Sequence, residues 1–124
     1  MDNVIISVNS EKRAVLVKPE IIAVCGENLQ GQFIVEFSDG FIDGEARLDV
    51  LICNCKKKGY IALTKSGSTY VGDILSCITC HAGKVKMQVV VKQTAVNGVA
   101  PIFKSAIFEV AIDDSINATE VLTE

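Results

Sequence analysis

Residues 84–93, KVKMQVVVKQ, place Val85, Met87, Val89 and Val91 on one side of an extended chain and Lys84, Lys86, Gln88 and Lys92 on the other. Successive side chains of a strand point to opposite faces, so this alternation predicts a strand with one face in a core and one in water. The same period recurs outward from it. QFIVEF (32–37) sets Phe33, Val35 and Phe37 against Gln32 and Glu36, and RLDVLICN (47–54) sets Leu48, Val50 and Ile52 against Arg47, Asp49 and Cys53. IFKSAIFEVAI (102–112) aligns Phe108, Val110 and Ile112 opposite Glu109, and VIISVN (4–9) could add an edge strand.

Between these runs stand Gly26-Glu27-Asn28, Ser38-Asp39-Gly40, Asp43-Gly44, Lys58-Gly59, Ser66-Gly67-Ser68, Gly72-Asp73 and Asn97-Gly98. Glycine, and asparagine or aspartate beside it, reach the positive φ that tight reversals need. No window of a dozen residues has helical periodicity; one or two helical turns near 73–82 are the most that DILSCITCHAG allows. The pattern predicts an all-β fold, an antiparallel β-sandwich of the immunoglobulin-like or jelly-roll-like kind with about seven to nine short strands. It forms a single domain over 1–124, with a core spanning about 14–112 and a polar, acidic tail over 113–124. A chain of 124 residues can bury a core without disulfide or metal staples.

Apolar residues make up 49% of the chain and charged residues 22%, which is globular rather than disordered usage. A net charge of −3 disfavours nucleic acid as a partner, because that affinity rests on clustered cations neutralising phosphates. Lys56-Lys57-Lys58, the only basic run, reads as the solvated tip of a hairpin. With no basic segment leading into an apolar stretch, and no apolar run near the length of a bilayer span, no export and no membrane are expected. Five cysteines, an odd number, suit free thiols in a reducing compartment.

CITCH (77–81) matches the spacing of a c-type haem attachment site, with His81 the only histidine. Covalent haem would require export and a second axial ligand such as Met87, which lies on the apolar face of the strand over 84–93 and reads as core. Zinc is the alternative, with Cys53, Cys55, Cys77 and Cys80 supplying four thiolates. Cys53 and Cys55 sit one residue apart on a strand, however, which separates them by about 7 Å at a rise of roughly 3.3 Å per residue. The favoured reading is small, buried, reduced cysteines and an idle histidine. Asp39, Asp43, Glu45, Asp73, Asp113 and Asp114 are mostly turn residues, and no phosphate loop, nucleophile elbow or histidine pair is present. Neither enzymatic activity, nor a cofactor, nor a small-molecule substrate is expected.

The order of these segments resembles the N-terminal domain of phage baseplate upper proteins, found in tails of phages and prophages of Gram-positive bacteria. The likeness runs over about residues 20–112. It lies in GENLQGQFIVEF (26–37), the FIDG turn (41–44), LDVLICN (48–54), GKVKMQVVVK (83–92) and KSAIFEVAI (104–112). In that family the approach to the GKVKMQ strand varies and requires no thiol or histidine. The resemblance implies a β-sandwich of the virion tail or baseplate, made in the bacterial cytoplasm, that forms homo-oligomers and joins receptor-binding or fibre components to other tail proteins. It transfers no catalytic residue. Members usually continue into helical or fibre-like segments beyond this domain. Ile34, Leu51, Val90 and Ile107, apolar residues on the second faces of strands, are the candidate interface positions.

Overall fold

A computed structural model describes residues 3–18, 21–24, 31–53, 56–74, 82–95, 97–113 and 121, with the backbone alone described for 21–24. Eleven strands lie among them: β1 (Val4–Val8), β2 (Val15–Lys18), β3 (Ile21–Val24), β4 (Gln32–Phe37), β5 (Glu45–Ile52), β6 (Lys57–Ala62), β7 (Thr64–Ser66), β8 (Thr69–Asp73), β9 (Gly83–Lys92), β10 (Ile102–Lys104) and β11 (Phe108–Asp113). They form two sheets, β2-β1-β4-β8-β7 and β3-β11-β9-β5-β6, with β10 paired to β9. No helix occurs among the described residues. The fold is an all-β sandwich with more strands than the seven to nine expected, because the short elements β2, β3, β7 and β10 have little alternation to reveal them.

The core is the alternation made solid. Val85, Met87, Val89 and Val91 of β9 turn inward against Leu48 and Val50 of β5 and Phe108, Val110 and Ile112 of β11. Facing them are Val4, Ile6 and Val8 of β1, Phe33 and Val35 of β4 and Tyr70 of β8. Each aliphatic or aromatic side chain removed fully from water contributes about 1.5–3 kcal/mol, so these inner faces are what hold the sheets together.

Several expectations are corrected. VIISV is no edge strand. It lies between β2 and β4, with Val4, Ile6 and Val8 fully buried, so the core begins well before residue 14. Its pairing with β4 is parallel, with Ile5 opposite Ile34, as is that of β3 with β11; the sheets are mixed rather than purely antiparallel. A parallel neighbour cannot come from a hairpin, and the chain crosses between sheets after β2, β3, β4, β6 and β8 to make these pairs.

Lys58-Gly59 and Gly72-Asp73 are not reversals either. Gly59 pairs with Val50 inside β6, and the turn out of β5 falls earlier, where Lys56 takes φ 56°. Gly72 is buried inside β8, opposite Phe33, where an added Cβ would stand 2.6 Å from Leu63 Cδ2. It is a glycine of close approach. Ser66-Gly67-Ser68 and Asn97-Gly98 do turn, with φ of 61° at Gly67 and 53° and 78° at Asn97 and Gly98. Asp73 ends β8 and Ile74 is buried without helical structure, while 75–81, where helical turns were allowed, lie outside the described residues. Asp113, taken as the start of the tail, still belongs to β11.

Two devices finish the ends of the sandwich. β10 and β11 run along β9 as one interrupted strand whose register shifts by one residue, from Lys104 opposite Val90 to Phe108 opposite Met87. The buried Ser105 fills the break. Its hydroxyl accepts from the Val89 amide at 3.0 Å and donates to the Ala106 carbonyl at 2.9 Å, so the interrupted ladder leaves no orphan there. At one rim an aromatic group closes the gap between sheets: Phe37 meets Phe41, Tyr70 and Phe103 edge-on at 5.9–6.2 Å, and Phe41 stacks on Tyr70 at 5.1 Å.

Tyr70 holds that rim by its hydroxyl, which donates to the Ile42 carbonyl at 2.7 Å and accepts from the Gly44 amide at 3.1 Å. Burial raises its phenol above the ordinary value of 10.0; the Gly44 bond opposes that, Asp43 adds to it and Lys65 opposes it. A pKa raised in the folded state favours the neutral phenol, so its contribution is intact below pH 10.0 and is lost as pH climbs through the folded value. Tyr70→Phe is therefore expected to lower stability by about 1–2 kcal/mol at neutral pH and to flatten the alkaline loss seen in the parent above pH 10, as read by urea unfolding at a series of pH values.

Candidate interaction face

Antiparallel partners share a face, so the strand registers place the outward residues of the second sheet in transverse rows. Lys58, Leu51, Lys86 and Glu109 make one row, and Tyr60, Asp49 and Gln88 the next. A third row runs Ala62, Arg47, Val90 and Lys104, and a fourth Glu45, Lys92 and Ile102. Charged stems separate apolar patches throughout. Arg47 bonds Asp49 at 2.9 Å and lies over the Tyr60 ring at 5.0 Å, a fixed element in an otherwise open surface.

Of two adjoining grooves of about 520 and 690 Å3, the first lies on this face and the second runs from it over the sheet edge to Thr64, Lys65 and Tyr70 of β7 and β8. Leu51, Tyr60 and Ile107 line the first, Val90, Ala62 and Ile102 the second, and Arg47 and Tyr60 belong to both. Tyr60, Ile102 and Ile107 are more than half exposed, at 63%, 56% and 65%. Large apolar side chains held in water side by side mark contact surfaces more often than chance placement does.

Of the four candidate interface positions, the fold brings Leu51, Val90 and Ile107 to this one face and sends Ile34 to the other sheet. Leu51 is half-buried and Ile107 open, but Val90 is only 5% exposed; Arg47 and Lys104 flank it in the register and their aliphatic stems can cover it. Ile34 stands between Ile5 and Val71 in a half-buried aliphatic row on the outer side of the first sheet. Sequence reasoning missed Tyr60 and Ile102. Lys58-Gly59 predicts a turn, which hides the strand around Tyr60, and β10 has only three residues.

Of the four thiol candidates, only Cys53 lies among the described residues. Cys53 is a free, half-buried thiol in the turn after β5, its amide donating to the Lys84 carbonyl at 3.2 Å. Cys55, Cys77, Cys80 and His81 lie outside the described residues, and no group of metal-ligating side chains occurs among the described ones. Met87 is buried between the sheets at 1% exposure, in the role of core filler expected for it. Among the described residues no helix is long and apolar enough to cross a membrane.

No protein-family model matches the chain, and no curated protein matches it. Among solved structures it is similar to the N-terminal domain of phage TP901-1 ORF48, with a TM-score of 0.59 at 6% sequence identity. The likeness covers 91% of this chain and 99% of that one. The two share a β-sandwich fold across nearly their whole lengths.

Proposed function

We propose that the chain is a non-enzymatic structural protein of a phage or prophage tail, acting in the baseplate. It forms homo-oligomers and joins receptor-binding or fibre components to other tail proteins through protein–protein contacts, without cofactor or small-molecule substrate. The observation that carries this reading is the fold shared end to end with a phage protein's N-terminal domain, which agrees with the order of segments in the sequence. A fold alone does not assign a function. The open apolar and cationic face of the second sheet gives the reading a physical basis, since it offers contact surface rather than a catalytic constellation.

The test is mass spectrometry of tail particles purified from the phage or prophage whose genome encodes the chain. The reading expects it in every particle at a fixed copy number relative to the other tail proteins. Its absence from intact particles would refute the assignment.

A further inference from the structure

The two grooves of the second sheet and its edge are charged against the trend of the molecule. Six cationic side chains line them, Arg47, Lys58, Lys65, Lys86, Lys92 and Lys104, against the carboxylates of Glu45 and Asp49, in a chain whose net charge is −3. Arg47 pairs with Asp49 at 2.9 Å and Lys65 with Asp43 at 3.0 Å. Lys58, Lys86, Lys92 and Lys104 have no carboxylate within 4.0 Å among the described residues. Between these ammonium groups the floor is apolar: Leu51, Tyr60 and Ile107 in one groove, Ile102 and Leu63 in the other.

We infer that these grooves receive an extended acidic segment of a partner protein, with carboxylates meeting Lys58, Lys86, Lys92 and Lys104 and aliphatic side chains settling against Tyr60, Ile107 and Ile102. This rests on the tail-protein reading only for where the partner is found; the chemistry of the segment follows from the face. Complementary charge steers and aligns such a contact, and the apolar anchors hold it. A nucleic acid fits less well, because the only ring exposed in the grooves among the described residues, Tyr60, is already covered on one face by Arg47. The outer face of the first sheet is a poorer choice of occupant from a second copy: its rows carry Glu36 and Asp73 but also Lys18.

The experiment is fluorescence anisotropy with a labelled 12-residue peptide carrying four glutamates and four isoleucines among serines, titrated with the full chain at low and at physiological salt. Saturable binding is expected, weakened by salt. It should fall roughly tenfold or more in Lys86→Glu/Lys92→Glu/Lys104→Glu, since the triple change removes three exposed ion pairs and adds repulsion in their place. It should fall several-fold in Ile107→Ser, while circular dichroism of both exposed-site variants matches the parent. Replacing the peptide's glutamates by lysine should abolish binding.

Equal binding of a 12-nucleotide oligothymidylate, or of the peptide with its isoleucines changed to serine, would overturn the inference by reducing it to attraction for any polyanion. So would failure to bind the peptide at all, or unchanged binding in the variants. Dispersal of a homo-oligomer by the same lysine reversals, seen by sedimentation, would assign the face to a second copy instead. A chain that enters tail particles yet ignores the peptide loses only this inference, and a chain that binds the peptide but is absent from particles loses only the tail reading.

Discussion

Phe33→Ala is expected to destabilise the protein by about 3–5 kcal/mol, enough to unfold a domain of ordinary stability partly or wholly at 37 °C. Phe33 is fully buried on β4, the strand that pairs with both β1 and β8 and so sits at the centre of the first sheet. Truncation removes its transfer free energy and leaves a cavity that the flanking strands cannot close, because both are pinned by their own ladders. Urea unfolding followed by circular dichroism would show the midpoint falling with little change in slope. A loss below about 1 kcal/mol would mean that the two sheets do not pack across Phe33 in this way.

Gly44→Val should cost about 3 kcal/mol or more by a different route. Gly44 stands at the entry to β5, where its backbone passes so close to β9 that any Cβ would overlap the Lys92 carbonyl. That obstacle is main chain, held in the Lys92–Glu45 register, and it cannot swing aside. The displaced Gly44 amide would also leave the Tyr70 hydroxyl that it bonds at 3.1 Å. Gly59→Ala is the internal control. An added Cβ there meets nothing within 4 Å in an extended strand, so the exchange should be neutral or stabilise by up to about 1 kcal/mol. Thermal melts of the two variants side by side check the pair; equal melting temperatures would contradict the described approach of β5 to β9.

The contrast between Gly59 and Gly44 also marks what the sequence could and could not tell. Strict alternation in KVKMQVVVK, QFIVEF and the end of β11 named the core residues of those strands correctly apart from Phe37, which is half-buried at the rim, because a period of two is local and burial follows from it directly. Glycine carries no such local sign. Lys58-Gly59 and Ser66-Gly67 look alike on paper, yet one lies in a ladder and the other reverses the chain, and only the cross-strand partners decide. The inner position of β1 was equally out of reach, since its pairing with β4 joins residues 29 apart in parallel, and no turn residue announces a parallel partner.

The outer face of the second sheet was half legible. Leu51 and Ile107 were chosen as apolar residues on the wrong parity for the core, and the registers put both on one groove. Val90 met the same criterion but is covered, because its neighbours in the register are an arginine and a lysine with long stems. The cationic character of the grooves could not be foreseen from a net charge of −3, as it arises when separate strands bring Arg47, Lys58, Lys86, Lys92 and Lys104 onto a single surface.

The central claim, that this β-sandwich works by joining protein to protein in a phage tail, is tested most directly by co-expressing the chain with the tail proteins of the phage or prophage whose genome encodes it. Size-exclusion chromatography with light scattering then reads the mass of each species. The account predicts a homo-oligomer that forms a stable complex of fixed stoichiometry with at least one neighbouring tail protein. A strict monomer at the highest soluble concentration, eluting apart from every one of them, would contradict it.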